Sequence, residues 1–132
     1  MTTLFQNIIS GKEECYKVAE DDLHIAFLEK RAVKKGHIVV FPKKETDFLY
    51  DMDDESLCKL NLFAKKVSHA LRKVVTCKKI GIAVIGLELP HVHIHLVPLD
   101  KVSELNFSGG RINFTEAELS ELAIKISSMI NL

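Results

Sequence analysis

Two rhythms of apolar residues run along this chain. Between Asp53 and Val75, residues Leu57, Leu60, Ala64, Val67, Leu71 and Val74 recur at every third or fourth position, which draws a single apolar stripe along a helix. Asp51, Asp53, Asp54 and Glu55 crowd its start, where the helix dipole favours negative charge. Lys59, Lys65, Lys66, Arg72 and Lys73 occupy the outward positions and read as a solvated face. On either side of this segment the period shortens to two. Cys15 to Ala19 and Leu23 to Glu29 alternate across a turn at Asp21-Asp22 and predict a hairpin. Gly36 introduces His37-Ile38-Val39-Val40-Phe41, closed by Pro42; apolar on both faces, this strand belongs at the centre of a sheet. Ile80 to Leu87 and His91 to Leu99 predict two more strands, separated at Pro90. Residues 3–10 predict a short amphipathic helix with Leu4, Phe5, Ile8 and Ile9 on one side and Gly11 at its end. Thr115 followed by Glu118 has the capping-box pattern and opens a final helix that runs to about Met129. Lys30 to Lys35 reads as a basic loop and Ser108-Gly109-Gly110 as a flexible one. Strands on short links with segregated helices predict an α+β fold, an antiparallel five-stranded sheet with the long helix packed on it.

Composition narrows the function. The chain has 132 residues, the size of one domain, taken as 1–132. Apolar residues make up 47% and charged residues 27%, near the globular average, which sets aside intrinsic disorder. Lys+Arg and Asp+Glu both number 18, so there is no basic excess of the kind a nucleic-acid partner draws. No apolar run approaches the ~20 residues that a membrane span needs, and the first residues have no basic region ahead of an apolar one. Three cysteines, Cys15, Cys58 and Cys77, form no close pair; they are expected as reduced thiols, buried as small hydrophobes, in a cytoplasmic protein. His24 and His69 are expected at the surface.

Chemistry concentrates at Pro90-His91-Val92-His93-Ile94-His95-Leu96-Val97-Pro98. Alternate side chains of a strand share a face, so His91, His93 and His95 point one way and Val92, Ile94 and Leu96 the other. Successive imidazoles are then roughly 6.5–7 Å apart. The apolar side belongs on the core, and the histidine side faces a cleft or a polar network. Imidazole is both a neutral nucleophile and an acid or base near neutral pH. At a phosphorus centre one ring can displace a leaving group, a second can hold phosphate oxygens, and a third can orient the nucleophile. A metal is the rival reading, because His-x-His on a strand also suits zinc, copper or iron. A surface cluster without a role is the third.

At these residues the sequence resembles the histidine triad (HIT) superfamily, whose hallmark His-φ-His-φ-His-φ-φ (φ apolar) is matched by His91-Val92-His93-Ile94-His95-Leu96-Val97. Gly86-Leu87-Glu88-Leu89-Pro90 resembles the lead-in to that motif. Gly36-His37-Ile38-Val39-Val40-Phe41-Pro42-Lys43 resembles a Gly-His strand of the same proteins, and Val18-Ala19-Glu20-Asp21-Asp22 with Ala26-Phe27-Leu28 resembles their early hairpin. The likeness runs from about Phe5 to Pro98 and is greatest to the Hint-like branch. It implies a purine-nucleotide-binding fold that pairs into a homodimer with a continuous sheet, and hydrolysis at the α-phosphorus, foremost of a nucleoside phosphoramidate. It implies that His93 is the nucleophile, that His95 binds the phosphate and assists the leaving group, and that His91 and His37 orient His93. Glu29 stands where the family usually has an aspartate on the ribose hydroxyls, and Phe5, Ile9 and Leu28 help line the base pocket. Glu88 stands where animal Hint proteins carry a serine near the leaving group. The Cys-x-x-Cys of zinc-bearing relatives is missing, and Glu45 stands where they often have histidine; no metal and no cofactor is expected. The alternatives carried with this reading are a dinucleoside polyphosphate hydrolase and a nucleotide-binding or sensing module with little turnover.

Overall fold

The computed structural model describes residues 4–9 and 15–132. A short helix, α1 (Leu4–Ile9), precedes a hairpin of β1 (Lys17–Glu20) and β2 (His24–Leu28). The hairpin turn is built by Asp21, whose carboxylate accepts from the backbone N–H groups of Leu23 at 2.9 Å and His24 at 2.8 Å, the side-chain turn that aspartate favours. A two-residue strand, β3 (Arg31–Ala32), leads to β4 (Ile38–Pro42). Then come the long helix α2 (Asp54–Val74), β5 (Lys79–Ala83), β6 (Ile94–Leu99), a second two-residue strand β7 (Ile112–Asn113), and α3 (Glu116–Ser128). The main sheet has the order β1-β2-β4-β6-β5 with every neighbouring pair antiparallel. β4 is therefore central, as its two apolar faces require.

The period-two rhythm divides the sheet by parity. Ala26 and Leu28 of β2, Ile38 and Val40 of β4, and Ile94 and Leu96 of β6 face the helices and pack with Leu60, Phe63, Val67 and Leu71 of α2 and Leu119, Leu122 and Ile126 of α3. Leu60 and Leu71 are completely buried, each worth about 1.5–3 kcal/mol of apolar burial. Odd-numbered residues face the other way, where Ile25, Val39 and Phe41 form a second cluster with Ile8, Phe27 and Leu89. Both longer helices start on a side-chain cap, that of α3 being the capping box expected from the sequence. Asp53 accepts from the N–H of Ser56 at 3.2 Å. Thr115 and Glu118 exchange both capping-box hydrogen bonds, at 3.1 and 3.0 Å.

Several expectations are corrected. The strand expected over Ile80 to Leu87 is Lys79–Ala83, and the one expected over His91 to Leu99 begins at Ile94. Ahead of it Val92 donates to the Thr46 carbonyl and His91 to the Leu89 carbonyl, so the sheet ladder starts only past the segment that Pro90 interrupts. The first strand is Lys17–Glu20 rather than Cys15 to Ala19. The basic loop contains β3, which pairs antiparallel with β7 as Arg31 opposite Asn113 and Ala32 opposite Ile112. The cysteines are not buried hydrophobes: Cys58 is exposed on the outer side of α2, and Cys15 and Cys77 are partly exposed. His69 is exposed as expected, whereas His24 is buried, stacked on Phe63 with its Nδ1 3.0 Å from Asp21.

Candidate active site

Two elements bring four histidines together on the odd face of the sheet. His37 enters β4 directly after Gly36, which has φ +88°, a conformation only glycine adopts without strain. A Cβ there would also meet Val75 at 3.0 Å, Leu71 at 3.1 Å and Pro98 at 3.2 Å, so the glycine lets this turn sit against the end of α2. His37 is completely buried, as is His91, while His93 and His95 are partly exposed.

Fixed backbone groups determine which nitrogen of each ring carries hydrogen. The N–H of Val33 donates to Nδ1 of His37 at 3.0 Å. That nitrogen is therefore an acceptor, and the hydrogen of the neutral ring is on Nε2. His37 Nε2 lies 2.9 Å from Nδ1 of His95. It donates, so His95 carries its own hydrogen on Nε2. Nδ1 of His93 lies 2.8 Å from the carbonyl oxygen of His91, which can only accept. His93 thus carries hydrogen on Nδ1 and keeps a lone pair on Nε2. His91 Nε2 donates to the Pro42 carbonyl at 2.8 Å. Electrostatics agree with these assignments. Burial first, then the neighbouring His95, the Arg111 guanidinium and His93, push the pKa of His37 down to about 3. Burial first, then His93 and Arg111, push that of His95 down to about 4, and burial also lowers that of His91. These three rings are neutral at pH 7.

Aromatic packing holds the rings in place. Phe41 stacks on His93 with centroids 4.9 Å apart and meets His91 edge-on at 5.2 Å, and Phe27 stacks beneath Phe41 at 5.5 Å. The His93 and His95 rings are 4.8 Å apart, closer than the repeat of a pleated strand, because His93 precedes the regular part of β6. Phe107 closes the far side at 4.7 Å from His95 and 6.0 Å from His37. Arg111 lies over the Phe107 ring at 5.6 Å.

The other sequence-predicted residues are less concentrated. Glu29 follows β2 beside His37: its N–H donates to the His37 carbonyl at 2.9 Å, and its carboxylate accepts from the N–H of Arg31 at 3.1 Å. Leu28 is corrected: it points into the helix-side core, and its neighbour Phe27 faces the histidine side, as parity dictates. Glu88 is exposed in the segment between β5 and β6. Phe5 and Ile9 lie outside the residues whose side chains are described, although Ile8 of the same helix packs on the histidine face. Val33, Phe41, Phe107 and Arg111 were not anticipated. Phe41 has the same parity as His37 and could have been read from it; Phe107 and Arg111 arrive from a segment with no periodic signal. Among the described residues no group of three His, Cys, Asp or Glu side chains is placed to hold a metal ion. A concavity of about 670 Å³ between β1 and the C-terminal end of the chain is lined by residues such as Glu20, Lys43 and Ser127. It contains no histidine, so the chemistry is assigned to the ring cluster instead.

Comparison with known proteins agrees with this geometry. The family model described as the HIT domain matches residues 10–102. An uncharacterized HIT-like protein of Borreliella burgdorferi is 33% identical over 135 residues, spanning 96% of this chain and 97% of that protein. An adenosine 5'-monophosphoramidase of Schizosaccharomyces pombe is 31% identical over 100 residues, 74% of each chain. The crystal structure of a hypothetical histidine triad nucleotide-binding protein from Sulfolobus tokodaii superposes with a TM-score of 0.83 at 25% identity, covering 96% of this chain and 91% of that one. With the HIT model spanning most of its length and the triad assembled on the sheet, the chain belongs to the HIT family.

Proposed function

We propose that this protein binds a purine nucleotide adduct and hydrolyses it at the α-phosphorus, releasing the nucleoside monophosphate, through a covalent nucleotidyl-His93 intermediate. The observation that carries the reading is the 2.8 Å hydrogen bond from Nδ1 of His93 to the His91 carbonyl, because it leaves the Nε2 lone pair as the attacking group. The lone pair forms a P–N bond while the bond from phosphorus to the leaving group breaks, the leaving group departing with the electron pair. The cationic ring that results keeps its Nδ1–H on the carbonyl, where a nearby dipole stabilises the charge. His95 offers its Nε2–H to a phosphoryl oxygen. Water then attacks the phosphorus and the P–N bond breaks, returning the lone pair to His93. One proton of that water stays on the phosphate and the other is released to solvent, balancing the proton that an amine leaving group takes up from solvent. His37 and His91 act as positioning residues. No metal enters this sequence of steps.

A nucleoside phosphoramidate is the substrate class favoured here, supported by the similarity to a monophosphoramidase over 74% of the chain. In this reading Glu29 would contact the ribose and Glu88 would stand near the leaving group, with Phe5 and Ile9 contributing to the base pocket, as the family resemblance implies. The reading includes a homodimer joined into one continuous sheet. The test is turnover of adenosine 5'-monophosphoramidate. His93→Ala loses more than ~1000-fold in kcat/KM, as removal of a covalent nucleophile does; a loss of less than about tenfold contradicts the reading.

A further inference from the structure

The segment after β6 brings an unmatched positive charge to the histidines. Its shape is fixed by three tethers: the β3–β7 ribbon, the ion pair of Lys34 with Glu104 at 2.7 Å, and the hydrogen bonds of Glu104 to the backbone N–H groups of Asp100 and Lys101. These fold the chain back so that Phe107 lies against His95 and His37, with Arg111 over the same ring. One Nη of Arg111 donates to the Arg31 carbonyl and the other to the Phe107 carbonyl, both at 2.9 Å.

Those bonds use two of the five N–H donors of a guanidinium. Among the described residues no carboxylate forms an ion pair with it, although it is only partly exposed. The nearby carboxylates are committed elsewhere: Glu104 to Lys34, and Glu29 to the N–H of Arg31. A half-buried guanidinium without a counter-ion is unfavourable unless an anion completes it. Its planar fork suits a phosphate, which it can hold through two parallel hydrogen bonds. Arg31, on the same ribbon, adds a second exposed cation. One aromatic ring lies between this charge and the histidines: the guanidinium is 5.6 Å from the Phe107 centroid and that ring is 4.7 Å from the His95 ring. That the guanidinium also lowers the pKa of both His37 and His95 is consistent with its nearness.

We propose that Arg111 forms a second phosphate subsite, so that the preferred substrate carries a further phosphate besides the one attacked by His93. The subsite rests on the nucleotide-binding reading above and is absent from the HIT-domain match, which ends at residue 102. A further phosphate on the ribose is compatible with an amine leaving group at the α-phosphorus, whereas one extending from the α-phosphate would itself be the leaving group in place of the amine; the ligands below separate these two sources.

The test is calorimetric binding of AMP, ADP and adenosine 3',5'-bisphosphate to the full chain carrying His93→Ala, which prevents turnover, alone and combined with Arg111→Gln or Arg111→Lys. At least one of the two-phosphate ligands binds about tenfold or more tighter than AMP; ADP marks the extended phosphate and the 3',5'-bisphosphate the ribose position. Arg111→Gln, which keeps donors for the two carbonyls, reduces that preference below about threefold, and Arg111→Lys retains part of it. Equal affinity for AMP and both other ligands, or a preference that survives Arg111→Gln, overturns the subsite. If that occurs while the unsubstituted protein hydrolyses adenosine 5'-monophosphoramidate, the subsite falls and the proposed function stands. If no adenine nucleotide binds and nothing turns over, both fall.

Discussion

His37 sets the state of the ring pair at the core of the site: once the Val33 N–H occupies its Nδ1, the hydrogens of both His37 and His95 follow. The arrangement requires neutral rings, which makes it sensitive to acid. In the unfolded chain a histidine titrates near 6.5, whereas here His95 resists protonation to about 4 and His37 to about 3. Below pH 6.5 the unfolded chain therefore binds protons that the folded one refuses. The stability these rings contribute is fully present above 6.5 and is lost as pH falls, at about 1.4 kcal/mol per pH unit for each ring. Between pH 7 and pH 5 the unfolding free energy is expected to fall by roughly 3 kcal/mol, allowing for the partial exposure of His95. Urea titrations check this, and His37→Gln flattens the slope by about half. A slope unchanged by His37→Gln contradicts the ring assignments. At this scale the sequence was informative wherever parity operates. Val92, Ile94 and Leu96 go inward and the triad outward, and the same rule, applied strictly, would have chosen Phe27 over Leu28. It would also have turned His24 inward with Ala26 and Leu28, where it stacks on Phe63 of α2; it was silent where a partner is remote in the chain and no period operates, as where Arg111 reaches Arg31 across 80 positions.

Among the elements, α2 and α3 were the most legible. Each buries a single stripe and starts on a side chain that caps its first turn, so the local and tertiary signals agree. The β3–β7 ribbon was not legible, because two-residue strands that are mostly exposed leave no pattern. β5 was over-extended because Val84, Ile85 and Leu87 continue the apolar run although they are exposed. Those side chains have another significance. β5 is an edge of the sheet, and Ile82 on it is 66% exposed. An open strand edge flanked by apolar side chains invites pairing with another strand, and a two-fold pairing of β5 with itself would produce the proposed continuous sheet. Light scattering is expected to give a dimer for the natural chain and a monomer for Ile82→Lys. A natural chain that is monomeric at micromolar concentration contradicts the shared sheet.

The molecule as a whole separates its tasks across one sheet. The even face and the two longer helices make the apolar core, while the odd face carries rings whose hydrogens are set by fixed backbone groups. The donors and acceptors of the site are oriented by the fold itself, which for the proposed reaction lowers the cost of reaching a charged transition state. No described helix is long and apolar enough to cross a membrane. The account turns on whether the Nε2 lone pair of His93 becomes covalently bonded to phosphorus. Intact-mass and peptide mass spectrometry of the protein, quenched within the first turnover of adenosine 5'-monophosphoramidate, measures this directly. The predicted result is an adenylyl group on the peptide containing His93, formed before monophosphate release and lost in His93→Ala. Full turnover with no adduct at any time, or an adduct on a different residue, would contradict it.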